Sequence, residues 1–280
     1  MPLEFQPRKP QPLMLGDKAH YTLSSYDPVS VEVTVLQTTD EDIDLALDTL
    51  LENAGATRDD LADPVWFAEH FEGVPDEATM REEVRAELNV MNARFAEERK
   101  AGLAIAELIK RLEQSIPPMH LARYRQAVQM SFEQQMAAEG MTLNDFLANS
   151  GASRNDLDAM FDQQAQYTAE QDAALDAYAR EKKLSVAVDE IGQLLGIPAD
   201  QLDEVIAQTR ASGQYDQLHD AALHAKAARS VVAECNCTYH HETEAEARVR
   251  IAQAKQLREQ YDRGFGGNDA EESGSGFTLV

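Results

Sequence analysis

Four side chains able to hold a metal fall within seven residues: Cys235, Cys237, His240 and His241, in the pattern C-x-C-x-x-H-H. Thiolate and imidazole are the usual ligands of structural zinc, but such sites separate two ligand pairs by a longer loop, so this spacing strains a tetrahedron. Two readings follow: a zinc site, or a helix end with incidental polar residues. A second group is apolar. Met119, Met130, Met136, Met141 and Met160 concentrate in one stretch, interleaved with Phe132, Phe146 and Phe161. Thioethers adapt to many apolar partners, which suits a surface that binds chains of varied sequence. Met130, Phe132, Met136, Phe146, Met160 and Phe161 are therefore the candidate binding residues.

Catalytic patterns are not found. The chain has no G-x-G-x-x-G or G-K-[ST] phosphate cradle, no G-x-S-x-G elbow and no H-E-x-x-H helix. With 50 acidic residues, carboxylates fall close together by chance, so their pairs read as solvated faces. A net charge of −25 repels nucleic acid phosphates and anionic lipid, which argues against both as partners. No run of about eighteen apolar residues suggests a membrane span, and the first fifteen residues lack a signal core. Two cysteines are too few for a disulfide scaffold. The compartment read from these features is the cytoplasm.

The methionine-rich stretch must be held by helices. Pro117 and Pro118 suit a first helical turn, with Ser115 as its cap. Leu121, Tyr124, Val128, Phe132 and Met136 then form one apolar stripe, which Gly140 ends. Thr142 starts a short helix carrying Phe146 and Leu147; Gly151 stops it, and Ser153 caps a long return helix with Leu157, Met160, Phe161, Leu175 and Tyr178. Met130 lies off the stripe and reads as surface, whereas Phe132 and Met136 read as core. The result is a projecting hairpin over residues 115–183.

Upstream, four prolines in residues 1–18 favour an extended strap, and Val29, Val31, Val33 and Val35 alternate as in a strand, with His20 to Leu23 as its pairing segment. Thr39 caps a helix buried through Ile43, Leu47, Leu50 and Leu51. Asp63 and Pro64 start a short aromatic helix with Trp66, Phe67 and Phe71. A capping box of Thr79 and Glu82 predicts a helix of some ten turns. Downstream, Ser185, Gly196, Pro198 and Gly213 punctuate a second arm over 184–234. Residues 238–263 read as a charged, solvated helix and 264–280 as a disordered tail.

The order I-P-x-x-L, E-G-M-T-L-N-D-F-L and S-G-A-S-R-N-D-L through the hairpin resembles the C-terminal chaperone domain of bacterial trigger factor. The run L-H-D-A-A-L-H-A-K-A-A-R-S-V-V resembles the family's final helix, with Lys226 at its usual lysine. The T-D-E-D helix resembles the family's linker, so residues 1–60 are expected to be strap, strand and linker helix and 61–237 the helical domain. The resemblance implies a mainly α, SurA-like multi-helical body with projecting arms and a small β-strand element near the N-terminus. It further implies an ATP-independent holding chaperone for unfolded or nascent polypeptides. The isomerase domain and the G-F-R-x-G-K docking loop of the family have no counterpart in the sequence, so neither enzyme activity nor the usual ribosome docking is expected. No cofactor is expected beyond the zinc reading. The alternative is a dedicated scaffold that binds one folded partner.

Overall fold

The structure, a computed structural model, describes residues 9–15, 18–71, 74 and 76–265. Among them are ten α-helices and four short strands. The chain divides into two compact units whose boundaries fall inside a strand or a helix: residues 1–31 with 100–238, and residues 32–99 with 239–280. They cut across the continuous segments expected from the sequence. The tail beyond residue 265 and most of the proline-rich strap lie outside the described residues.

In the first unit, β1 (Leu13–Leu15) and β2 (Lys18–His20) form an antiparallel pair with Leu13 opposite His20. His20 therefore pairs within the strap and not with the valine strand, and Leu23 instead bridges Leu112. Ser115 does not cap a helix. Its N–H donates to Pro10 O, and its hydroxyl accepts from Gln11 Nε2, so the strap takes the groups assigned to the cap. The following helix starts at Pro118, whose missing N–H has no helical partner to lose.

The hairpin consists of α4 (Pro118–Ala138), α5 (Leu143–Ser150) and α6 (Arg154–Glu181). Thr142 and Ser153 each form a reciprocal capping box, with Asp145 and Asp156. Gly140 adopts a left-handed φ of 72°, which a side chain would strain. On α6, Leu157, Phe161, Ala165, Ala169, Ala173 and Ala177 are buried at intervals of four. That run of alanines lets neighbouring helices pack close, and α6 packs against both α4 and α9 (Tyr215–Glu234).

Between them lie α7 (Glu190–Leu195) and α8 (Leu202–Ala211). The first begins five residues after Ser185, the expected cap. Instead the Glu190 carboxylate accepts from the Ala187 N–H, and Lys226 Nζ donates to Glu190 and to Ser185 O, each at 2.8 Å. A Cβ on Gly192 would come within 3.2 Å of Leu202, so glycine permits α7 and α8 to meet.

The second unit packs α1 (Asp40–Ala54), α2 (Pro64–His70) and the first part of α3 (Glu77–Lys110) around Ile43, Leu47, Leu51, Leu61, Phe67, Met80 and Val84. Leu50, expected on the same face, is instead exposed, because the helical spacing of four from Ile43 selects Leu47 and Leu51 and turns Leu50 outward. The long helix starts two residues before Thr79, because Asp76 Oδ1 accepts from the Thr79 N–H and takes the capping role given to Thr79.

Two further corrections concern the C-terminal part. Asn236–His241 is not a helix end but a strand, β4, paired with β3 (Ser30–Val35). The two run in one direction, since the N–H of Asn236 donates to Val29 O and that of Glu242 to Val35 O. Nor is α10 (Glu244–Phe265) a lone solvated helix: Ala247 and Ile251 are buried, and Arg250 bridges Asp42 and the buried Glu242, with nitrogen–oxygen distances of 2.9 Å to each.

Candidate polypeptide-binding site

The two long hairpin helices are fastened by polar groups along their length. Arg125 reaches Asp158 at 2.6 Å and Asp162 at 2.7 Å, and the Tyr124 hydroxyl donates to Asp172 at 2.8 Å. Toward α5, the elbow of the hairpin, the seam becomes aromatic. The Phe132 ring lies edge-on to Phe146 and to Phe161, with centroids 5.2 and 5.5 Å apart, a geometry that adds to their area burial.

This arrangement divides the six residues singled out in the sequence. Met130 and Met160 are 49% and 45% exposed. Phe132 and Phe146 are half-buried, and Met136 is buried. Phe161 is only 2% exposed, so its assignment as a surface contact gives way to a core position under Phe132. Two outward side chains were not among the six: Met119 and Tyr167. Met119 and Met130 are eleven residues apart, three helical turns, which places them on one stripe about 16 Å apart. Met160 and Tyr167, two turns apart, share a stripe about 10 Å long on α6.

A cleft of about 1300 Å³ opens beside the hairpin, walled by α4, α6, α9 and the strap. Apolar side chains of Tyr21, Ile116, Leu175, Leu184 and Leu223 line it, together with the polar network around His224. His224 Nε2 lies 2.7 Å from Asp176, and Nδ1 lies 3.4 Å from Asp172, which also accepts from Tyr124. Burial alone pulls the imidazolium down, but the hydrogen bonds and charges of both carboxylates outweigh it and hold the pKa up to about 10. The Tyr124 hydroxyl is pushed up by burial and by Asp172. Tyr124, Asp172, Asp176 and His224 therefore form a fixed ion network in the cleft wall. A smaller recess of about 510 Å³ lies among Ile105, Tyr167, Ala228 and Val232.

The four metal-competent residues lie in and beside β4. Its period of two places Cys235, Cys237 and His241 on one side and His240 on the other, where His240 Nε2 is 3.2 Å from Glu246. Among the described residues no group of three or more His, Cys, Asp or Glu is arranged to hold a metal ion. The same residues contain no helix long and apolar enough to cross a membrane.

No curated protein matches the sequence. Among solved structures, a hypothetical Mycoplasma protein, MPN555, is similar over 79% of this chain and 90% of its own, at 10% identity and a TM-score of 0.40, too distant to define the fold. The model of the family described as bacterial trigger factor protein (TF) C-terminus matches residues 78–233. That span contains the hairpin, its elbow and the helices through α9. The linker resemblance upstream of Ala78 rests on its own sequence motif. With more than half of the chain matched, and its mainly helical fold in agreement, this chain belongs to the trigger factor C-terminal domain family.

Proposed function

We propose that the protein is an ATP-independent holding chaperone for unfolded or nascent polypeptides, acting without isomerase activity and in the cytoplasm. The observation that carries this reading is the spacing of exposed side chains on the arm: Met119 and Met130 on α4, Met160 and Tyr167 on α6, each separated by helical turns. A dedicated site for one folded partner would gather such side chains into a continuous patch. Separated weak contacts instead hold an extended chain through multivalency and release it quickly, which requires no nucleotide. Family membership supports a chaperone role in general terms.

The test is aggregation of a chemically denatured client followed by light scattering. Suppression at equimolar protein, without nucleotide and with several unrelated clients, is the expected result. Undiminished aggregation at several-fold excess, or a pull-down returning one stoichiometric folded partner, would replace the holding function with the scaffold reading.

A further inference from the structure

The second unit has an apolar helix face that its own core does not use. Along α3 the stripe Met80, Val84, Leu88, Met91, Phe95 continues at helical spacing, but only its first part is covered. Met80 and Val84 are buried in the core and Leu88 packs on it. The covering helix α1 runs antiparallel to α3, with Asp44 on Arg81 and Asp40 on Arg85, both at 2.7 Å, so its cover ends where it begins. Beyond that point Met91 is 56% and Phe95 48% exposed, and neighbouring Val90 is 68% exposed.

Charge indicates what would cover this face. Residues 32–99 and 239–280 contain 27 Asp and Glu against 10 Lys and Arg, whereas the other unit has 23 against 15. The arginines beside the covered stripe are engaged: Arg58 and Arg81 with α1 carboxylates, Arg85 with Asp40. Glu87 and Glu83, about one and two turns before Val90 and Met91, are exposed. At the far end Arg94 is paired with Glu98 and Arg99 follows one turn after Phe95. The strip is thus acidic toward its N-terminal end and apolar along its middle. We infer that this face docks a basic amphipathic helix of a partner protein, with its apolar side on Val90, Met91 and Phe95 and its lysines or arginines toward Glu83 and Glu87. Such a helix complements both features at once. An anionic membrane surface is repelled by the same charge.

The inference is separate from the holding function of the arm and has its own test. The probe is a fluorescent 18-residue amphipathic peptide of leucine and lysine, titrated into the full chain by anisotropy, beside a leucine–glutamate counterpart. Binding of the lysine peptide only is expected. M91S/F95S should weaken it at least tenfold, and E83Q/E87Q severalfold with a flatter salt dependence, at unchanged melting temperature. M130S/M160S on the arm should leave this affinity unaltered, and M91S/F95S should still hold denatured clients. Lack of binding, equal binding of the glutamate peptide, or unaltered affinity of M91S/F95S would overturn the inference. So would a dimer in analytical ultracentrifugation that M91S/F95S abolishes, which would make the face a contact between copies.

Discussion

Phe161 and Met130 show how little separates a binding residue from a core residue on a two-helix arm. Both are large, apolar and close to the elbow, but only Phe161 meets a neighbouring ring. Truncating a buried phenylalanine loses transfer energy and leaves a cavity, so Phe161→Ala should cost about 3–5 kcal/mol, whereas Met130→Ser should cost under about 1 kcal/mol. Chemical denaturation followed by circular dichroism checks both. The Met130 result was legible in the sequence, because that residue lies off the Leu121–Phe132 register. The Phe161 result was not, because its burial depends on Phe132 across the seam. His224 permits a second prediction at this scale. Its folded pKa of about 10 lies above the unfolded value near 6.5, so it stabilises the fold fully below about pH 6.5, and that stability is lost as pH rises toward 10. One pKa unit is about 1.4 kcal/mol, so the contribution is on the order of a few kcal/mol. A melting temperature that falls between pH 7 and 10 in the parent, and falls less in His224→Gln, is the expected pattern.

Among the elements, those with local signals were readable and those with distant partners were not. The capping boxes at Thr142 and Ser153 and the left-handed Gly140 and Gly151 each lie within four residues of the helix end they define, and the hairpin was located from them. Strand β4 has its partner about 200 residues away in β3, and its Cys and His residues pointed to metal chemistry instead. Helix α10 looked solvated because its anchors are only Ala247, Ile251 and one arginine, Arg250, whose partners Asp42 and Glu242 cannot be seen from composition. Arg250→Ala would leave Glu242 buried without its charge partner. Loss of one member of such a pair typically costs about 3–5 kcal/mol, and the partly exposed Arg250 places the expectation at the lower end, about 3 kcal/mol. Hydrogen exchange should show α10 and the start of α1 losing protection together while the hairpin keeps its own.

For the whole molecule, charge and apolar surface are the two quantities that decide which partners bind. A net charge of −25 opposes approach to ribosomal RNA, so co-sedimentation with empty ribosomes at low salt should be negligible. A salt-sensitive bound fraction would instead point to a basic patch or to a bridging protein. The same charge favours basic unfolded segments, which then need apolar contacts to be retained. Those contacts are assigned to the arm, and the most direct measurement is a holding assay on the triple variant M119S/M130S/M160S beside the parent. The account predicts that the variant keeps its far-UV spectrum and melting temperature while the amount needed to suppress client aggregation rises severalfold. Equal holding by the variant and the parent would contradict the claim that the exposed arm methionines bind clients.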